Sequence, residues 1–407
     1  MRIVQVSVGS VRMPPKEGSA PLQVIFNTSK HLAKLGHQVV ILDRKYTKDD
    51  LSAGQLEGVE IVRLKVRQVP FGKAPGFVRF FLAELNAALF ALGVSSYLRK
   101  NSSNIDVIHM HLTSIGLIVS ILHRRLRKKM VYTCHLGEWE LSERKLGLFE
   151  QLNLFLDPCL MKCVSKIIAL NDSAKERFVS KSKIDADKIV VVHNGVDTDF
   201  FRPDTEGADD ARKKYGLDGK LVVLFVGRMS RLKGVENLLK AANILVNRFA
   251  YRNVSFVLVG PFTFDPTDKP INKEEMLGYI KQHQLDGNVV LTGSLLLEEV
   301  RALYAASDIF VLPSLAEGDP LVTLEAMASG KPVIGTKVGG IRNQIRDGWN
   351  GFLIDPANEQ QLADKIRYLI DNPEERKKMG QNSRRYAEEE FDWSKVAEKL
   401  LKVYQMD

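Results

Sequence analysis

The segment LVVLFVGRMSRLKGVENLLKAANIL, residues 221–245, constrains the fold more than any other part of the chain. Its first six residues form an apolar run typical of a buried strand, and Gly227 provides a turn. From about Gly234, apolar residues recur at positions 238, 239, 242 and 245, which is the spacing of an amphipathic helix. A buried strand, a short loop and a helix form the repeating unit of a parallel sheet. We therefore expect an α/β architecture.

The same alternation runs through the rest of the chain. A strand over 2–8 precedes a helix that ends near Leu35, and strand-like runs follow at 38–43, 106–111, 130–135 and 166–171. The 407 residues are too many for one ordinary core and suit two α/β domains. We place the crossing between them near Gly195 to Pro203, where Gly, Asp and Pro replace an apolar run.

Two cations follow the strand at 221–226. Arg228 and Lys233 lie in the loop between this strand and its helix, at the carboxyl end of a predicted parallel strand. Ligands of open α/β sheets bind at that edge. Arg by bidentate contact and Lys as a point charge both suit a diphosphate. Taken alone, two basic loop residues are more often solvated surface.

Two glutamates, with seven residues between them, lie in SLAEGDPLVTLEAMASGKPVIGT. Glu317 belongs to a loop that leads into LVTLEAMA, which has the composition of a buried helix start, and Glu325 falls near the second turn of that helix. The helix start offers free N–H groups to an anion, and the carboxylates accept hydrogen bonds from hydroxyls. A diphosphate flanked by sugars fits this layout. The alternative is a helix with a capping carboxylate and one exposed glutamate.

At these residues the chain resembles the retaining glycosyltransferases of family 4. GRMSRLKG is similar to the family's G-R-x-x-x-x-K-G element, and EGDPLVTLEAMASGKPVI is similar to its paired-glutamate element. The resemblance implies the GT-B fold, in which two Rossmann-like doubly wound domains face a cleft. Residues 1–195 would bind the acceptor and residues 196–392 the nucleotide-sugar donor. A carboxyl-terminal helix over 393–407 would return to the first domain.

The resemblance also implies the reaction. A sugar moves from a nucleotide diphosphate-sugar to a hydroxyl of a glycan or lipid-linked acceptor, with retention of configuration. No cofactor and no metal are required, because cations and a helix dipole neutralise the diphosphate. The leaving phosphate accepts the proton of the acceptor on the same face.

Site residues follow by matching motifs. The implied catalytic residues are His135, Arg228, Lys233 and Glu317. Glu325 is implied to bind the ribose hydroxyls, and the other implied donor contacts are Gly227, Gly318, Asp319, Leu321, Val322 and Gly293. The acceptor loop corresponds to Gly9, Gly18 and Ser19, where Gly18-Ser19 stands at the family's usual double glycine.

Other polar patterns are less specific. His109 and His111 are expected on opposite faces of a strand, so that only one faces the cleft, and no acid or thiol lies at metal-ligand spacing. The D-x-D patterns at 185–187 and 197–199 are short and are set aside. The three cysteines, Cys134, Cys159 and Cys163, lie among apolar residues and are expected to be buried thiols of a reducing compartment.

Charge is unevenly distributed. Residues 1–200 hold 29 Lys and Arg against 19 Asp and Glu, whereas residues 201–407 hold 29 against 30. The cluster LHRRLRKK at 122–129 and the apolar segment 75–100 suit a surface that lies on an anionic membrane. A core helix and a solvated helix end are the alternatives. The amino terminus lacks a signal peptide, and no apolar run reaches about 18 residues, so we expect no transmembrane helix and a cytoplasmic, peripheral protein.

Three other functions remain open. A nucleotide-sugar epimerase or a polysaccharide phosphorylase can share the GT-B architecture, although no pyridoxal-phosphate lysine motif is seen. A basic nucleic-acid-binding protein fits the isoelectric point of about 9.2. That function leaves the paired glutamates without a role, so we expect no nucleic acid as a partner.

Overall fold

The computed structural model describes residues 1–14, 20–47, 50–70, 76–135, 148–262 and 271–406. The chain divides into two units. Unit 1 comprises Met1–Asn194 and Trp393–Asp407, and unit 2 comprises Gly195–Asp392. Each unit contains its own sheet and its own hydrophobic core.

Unit 1 is built on an eight-stranded sheet. Its strands, in chain order, are β1 Arg2–Val6, β2 Gln38–Arg44, β3 Ala53–Leu56, β4 Val59–Leu64, β5 Val107–Met110, β6 Met130–Thr133, β7 Lys166–Ala169 and β8 Ile189–Val191. Across the sheet the order is β3-β4-β2-β1-β5-β6-β7-β8, and only the β3–β4 pair is antiparallel. The direction of winding reverses between β1 and β5, so that this is the topological switch point of unit 1.

Helices connect these strands. They are α1 Ala20–Lys34, α2 Gly76–Asn101, α3 Thr113–Leu122, α4 Leu148–Cys163, α5 Asp172–Ser182 and, from the carboxyl terminus, α14 Trp393–Tyr404. Helix α14 buries Trp393, Val396, Leu400 and Val403, spaced by three or four residues, and packs against α1.

Unit 2 is a six-stranded parallel sheet. Its strands are β9 Leu221–Val226, β10 Val254–Val259, β11 Val289–Gly293, β12 Ile309–Leu312, β13 Val333–Thr336 and β14 Gly351–Ile354. Its helices are α6 Ala208–Lys214, α7 Val235–Asn243, α8 Lys273–Gln282, α9 Leu297–Ala306, α10 Leu321–Ala328, α11 Ile341–Gln344, α12 Glu359–Asp371 and α13 Pro373–Tyr386. The order is β11-β10-β9-β12-β13-β14, so winding reverses between β9 and β12.

The central strands of unit 2 explain its apolar runs. All six residues of β10 and all four of β12 are buried, because helices cover both faces of a parallel sheet. Such strands need apolar side chains at every position. The loops after β9 and β12 leave in opposite directions from adjacent strands, which opens a crevice at this switch point.

Helix α2 bears on the expectation that the chain has no transmembrane helix. The stretch Val78–Asn104 is long and apolar enough to cross a membrane by length and composition, with mean hydropathy 1.5, and it is the one such helix in the described part of the chain. The sequence analysis noted the apolar segment 75–100 but expected no span because no uninterrupted apolar run reaches about 18 residues, whereas mean hydropathy tolerates single charged residues such as Glu84. The helix buries Phe90 and Val94 in the core of unit 1, while 33% of its most apolar window is buried.

Candidate active site

The two loops at the switch point of unit 2 meet through an ion pair. Lys233, in the loop after β9, donates from Nζ to Oε1 of Glu317, in the loop after β12, over 2.5 Å. The hydroxyl of Ser314 donates to the same carboxylate oxygen over 2.7 Å. Burial of Glu317 makes this contact a fixed part of the fold, since an unpaired buried carboxylate is costly. The structure therefore brings two predicted site residues together.

Backbone contacts hold the same two loops in register. The N–H of Leu315 donates to the carbonyl of Leu232 over 2.7 Å. Gly234 has φ +71°, and a Cβ at this position would lie 1.9 Å from the carbonyl oxygen of Pro313. Only glycine permits both this conformation and this close approach. Gly227 and Arg228 lie directly after β9 and are partly exposed.

Helix α10 begins at Leu321, so that the predicted donor loop 317–320 ends at a helix start. Leu321 and Val322 form its first turn and are partly exposed, as Gly318 is in the loop. The carboxylate of Asp319 is buried and accepts a hydrogen bond from Nε2 of Gln344 over 2.7 Å. This side chain therefore helps to fix the loop, and the backbone groups of residue 319 are the ones that the donor prediction invokes.

Glu325 lies on the second turn of α10. The hydroxyl of Tyr304 donates to its Oε2 over 2.9 Å. Burial raises the pKa of Glu325 to about 7, an effect that the Tyr304 hydrogen bond partly opposes. Desolvation also raises the pKa of Tyr304 well above its ordinary value. Near neutral pH this carboxyl is poised between acid and carboxylate, and hydroxyl donors would favour the charged form.

Gly293 ends β11, two strands from β9, and its carbonyl accepts a hydrogen bond from the N–H of Gly260 over 2.9 Å. It therefore lies on the carboxyl edge of the sheet that also carries Gly227.

In unit 1, His135 follows β6 and belongs to a group of three histidines. Its Nε2 lies 2.9 Å from Nδ1 of His111, and the rings of His109 and His111 are 4.1 Å apart between centroids. The prediction that His109 and His111 occupy opposite faces was wrong, because residues two apart on a strand share a face. Burial lowers the pKa of all three, to about 3 for His109, well below the ordinary value for His111 and to about 4 for His135.

The predicted acceptor loop is anchored at its start. Gly9 has φ +66°, and a Cβ there would lie 2.6 Å from the ring of Phe90 on α2. Asp43, at the end of β2, accepts hydrogen bonds from Ser7 Oγ over 2.8 Å and from the N–H of Met13 over 2.9 Å. Gly18 and Ser19 lie outside the described residues.

The patterns that were set aside have local structural roles. Asp185 accepts from the N–H of Asp187 over 3.2 Å, and Asp197 accepts from the N–H of Phe200 over 2.9 Å, so each closes a turn. All three cysteines are free thiols. The expectation that they are all buried was wrong, because Cys159 is exposed on α4.

Several supporting residues were not predicted. Tyr304, Ser314 and Gln344 each hold a site carboxylate, and Gln5 and Tyr404 contact the histidines of unit 1. Their sequence contexts differ, since Gln5 and Tyr304 have apolar neighbours whereas Gln344 has Asn343 and Arg342 before it. A polar side chain in a segment with buried residues was the available signal, and it does not identify the partner.

Family profiles match both units. The profile described as Glycosyl transferases group 1 matches residues 208–386, and that described as Glycosyltransferase Family 4 matches residues 23–200. The chain belongs to the family 4, group 1 glycosyltransferases, enzymes that transfer a sugar from a nucleotide-sugar donor. The resemblance seen in the sequence is thereby confirmed.

Two curated relatives align over most of their length. The chain is 28% identical to D-inositol 3-phosphate glycosyltransferase of Corynebacterium aurimucosum, an alignment that covers 99% of this chain and 96% of that protein. It is 29% identical to alpha-maltose-1-phosphate synthase of Mycolicibacterium smegmatis, with 78% of this chain and 84% of that protein covered.

Solved structures establish the GT-B fold. A sucrose-phosphate synthase from Thermosynechococcus elongatus superposes with a TM-score of 0.80 at 21% identity, covering 99% of this chain and 98% of that one. Anabaena HepE, solved in complex with UDP-glucose, superposes with a TM-score of 0.75 at 19% identity, covering 100% and 99%. The predicted fold class is confirmed.

Proposed function

We propose that this chain is a retaining, metal-independent hexosyltransferase that uses a UDP-sugar and serves a glycan or lipid-linked acceptor at an anionic membrane surface. The observation that carries the donor half is the pairing of Lys233 with Glu317 at the switch point of unit 2. It puts a cation and a carboxylate at the crevice where doubly wound sheets bind nucleotides. The complex of HepE with UDP-glucose supports uracil as the base of the donor.

Charge development gives each donor residue a task. When the bond from sugar C1 to the diphosphate breaks, negative charge builds on the leaving oxygen and positive charge on the sugar ring. Fixed cations act most strongly where charge appears, so Arg228 and Lys233 would stabilise the leaving diphosphate. Glu317 would then bind the sugar, together with backbone groups of Gly318. No metal ion is needed in this scheme.

Glu325 would accept hydrogen bonds from the ribose hydroxyls. Its position on the second turn of α10 is fixed by Tyr304, which occupies Oε2. Nucleotide binding would supply further donors to the carboxylate and so favour its charged form.

On the acceptor side, His135 would contact the donor sugar and the loop that begins at Gly9 would hold the acceptor. The acceptor hydroxyl would attack C1 on the face that the phosphate leaves, and a phosphate oxygen would take its proton. This accounts for retention of configuration without a protein nucleophile.

A surface of unit 1 suits an anionic bilayer. Helix α2 exposes the apolar side chains of Val78, Phe81, Leu85 and Leu92, spaced along one stripe. The adjacent helix α3 ends with exposed Ile121 and Leu122 and continues into a 3-10 turn over Arg124–Lys129. Apolar side chains beside clustered cations are the features of a membrane-lying surface. We place it on the cytoplasmic leaflet, which is the anionic one.

The test combines donor screening with product analysis. UDP-, GDP- and ADP-sugars are compared by thermal shift, where a ligand at 100 times its Kd adds about 2.7 kcal/mol to the unfolding free energy. The preferred donor is then incubated with a lipid-linked acceptor, and the product anomer is assigned by NMR. Product formed without any acceptor would indicate an epimerase, and an inverted anomer would overturn the retaining mechanism.

A further inference from the structure

The three histidines of unit 1 form part of a longer hydrogen-bonded chain. His135 Nε2 lies 2.9 Å from His111 Nδ1, and His111 Nε2 lies 2.7 Å from Oε1 of Gln5 on β1. Gln5 Nε2 donates to the hydroxyl of Tyr404 over 3.3 Å. The Tyr404 hydroxyl lies 2.7 Å from His109 Nδ1, and His109 Nε2 lies 2.7 Å from Thr133 Oγ1.

The amide of Gln5 sets the direction of this chain. Its oxygen can only accept, so His111 donates from Nε2 and, being neutral, presents a lone pair at Nδ1. His135 must then donate from Nε2. At the other end, Tyr404 accepts from Gln5 and directs its own proton to His109, which donates to Thr133. Every hydrogen bond runs the same way, and such chains reinforce one another in a low-dielectric interior.

The location of this series of hydrogen bonds suits a role in orienting His135. Gln5 on β1 and His109 on β5 belong to the two strands that flank the switch point of unit 1, and both side chains are buried. Tyr404 lies on α14, 295 residues beyond His109. The carboxyl-terminal helix therefore contributes a polar group to the end of the sheet where His135 lies. The Tyr404 hydroxyl joins α14 to Gln5 and His109, in addition to the apolar contacts of the helix.

We propose that Gln5, His111 and Tyr404 are positioning residues that hold His135 as its Nε2-protonated neutral tautomer, with the Nδ1 lone pair directed to a hydroxyl of the donor sugar. This proposal rests on the role proposed above for His135. Burial keeps the three rings neutral near pH 7, so the chain orients a hydrogen-bond acceptor and does not supply a charge.

The experiment measures tautomers and kinetics separately. Selective ¹⁵N-histidine labelling reports which nitrogen of each ring is protonated, and His135→Gln assigns the His135 signals. We expect protonation at Nε2 of His135 in the wild type and a mixture of tautomers in Gln5→Met and Tyr404→Phe. Tyr97→Phe, which removes a hydroxyl of unit 1 outside this chain, is the matched control.

Kinetics should follow the tautomer. Gln5→Met and Tyr404→Phe should lower kcat roughly 10- to 100-fold, as loss of an orienting partner does elsewhere, while the Kd for UDP stays unchanged. Protonation of His135 at Nδ1 in the wild type, or an unaltered tautomer in Gln5→Met, would overturn the proposal. If His135→Ala transfers sugar at the wild-type rate, the proposed role of His135 fails instead, whatever tautomer is observed.

Discussion

Lys233 and Glu317, 84 residues apart in the chain, form an ion pair of 2.5 Å between Nζ and Oε1. The lysine side chain is 20% exposed and that of the glutamate 7%. In the proposed function a diphosphate uses the same ammonium group, which has three N–H donors and can contact a carboxylate and a phosphate together. Glu317 therefore holds Lys233 in position while its negative charge offsets part of the attraction for the diphosphate.

Two substitutions separate the positioning of Lys233 from the effect of the negative charge of Glu317 on nucleotide binding. Lys233→Met should lower turnover roughly 10²-fold or more through loss of a preorganised donor to the phosphate. It should also lower the unfolding free energy by about 1–3 kcal/mol, because among the described side-chain hydrogen bonds Glu317 would keep that from Ser314 alone. Glu317→Gln removes the offsetting charge, so the affinity for UDP should rise about fivefold while turnover falls. Calorimetry and steady-state rates measure both, and weaker UDP binding by Glu317→Gln would refute this effect of its charge.

Glu325 predicts a pH dependence. Its pKa rises from the ordinary 4.5 to about 7 in the folded chain, so the folded state binds more protons between these values. Stability should fall as pH rises from about 4.5 to about 7, by roughly 1–3 kcal/mol. Ribose hydroxyls favour the carboxylate, so UDP affinity should increase as pH rises through 7. Glu325→Gln should flatten both profiles, and an unchanged pH profile of UDP affinity in that variant would remove Glu325 from the ribose site.

Gly234 predicts a backbone effect on the site. Gly234→Ala would place a Cβ 1.9 Å from the carbonyl oxygen of Pro313 at a positive φ. The loops after β9 and β12 would separate, and the variant should lose at least about 2 kcal/mol of stability along with its activity. Gly278→Ala is the control, because nothing lies within 4 Å of the added Cβ on helix α8. The midpoint of denaturant unfolding should fall for Gly234→Ala and rise for Gly278→Ala.

The prediction that no metal is required follows from the positive charges of Arg228 and Lys233. If Arg228 and Lys233 neutralise the leaving diphosphate, EDTA should leave turnover unchanged and added Mg²⁺ or Mn²⁺ should not raise it. Arg228→Ala should lower turnover roughly 10²-fold, by the same argument as for other preorganised donors. Activity that EDTA abolishes and Mn²⁺ restores would place the diphosphate on a metal instead.

The fold of unit 2 was predictable because its strands are continuous apolar runs. Runs such as Leu221–Val226, buried on both faces, are read directly from the sequence, and LVTLEAMA was predicted as the start of a buried helix, which the structure places at Leu321–Ala328. The loop after a predicted strand also placed Lys233 at the sheet edge, and Glu317 was placed in the loop before a helix. Their mutual contact was not predicted, because it depends on strand order, which puts β12 beside β9 rather than beside β11.

Polar partners far apart in the sequence could not be predicted either, because their contacts also depend on how the elements pack. Tyr404 reaches His109 only because α14 packs in unit 1, and nothing near either residue signals the other. The histidine pair at 109 and 111 was misjudged on simpler grounds, since the two-residue period of a strand places both on one face. The exposure of the apolar stripe on α2 could not be predicted, because an exposed stripe and a buried stripe have the same composition.

The basic residues of the segment 124–129 have two kinds of surroundings: some are exposed and others hydrogen-bond to the backbone. Arg127 donates from Nε to the carbonyl of Ser120 over 2.9 Å, and Lys129 donates from Nζ to that of Ile105 over 2.5 Å. These two close the end of α3 and its connection to β6, so their loss would disturb the fold. Arg124, Arg125 and Lys128 are exposed and free for substitution without such contacts among the described hydrogen bonds.

Neutralising Arg124, Arg125 and Lys128 to Gln should therefore weaken binding to phosphatidylserine vesicles by up to about 1 kcal/mol per charge, roughly 100-fold in all. Phe81→Gln with Leu92→Gln should weaken it further, because the exposed stripe of α2 supplies the apolar contact. A triple Lys→Gln variant at the exposed positions 213, 281 and 377 of unit 2 loses the same charge and should bind as the wild type does. Donor affinity should not change in any variant, since Lys233 and Glu325 belong to unit 2. Co-sedimentation at physiological salt decides: equal loss in both triple variants would mean that net charge alone drives binding, and no binding by the wild type would favour an acceptor free in solution.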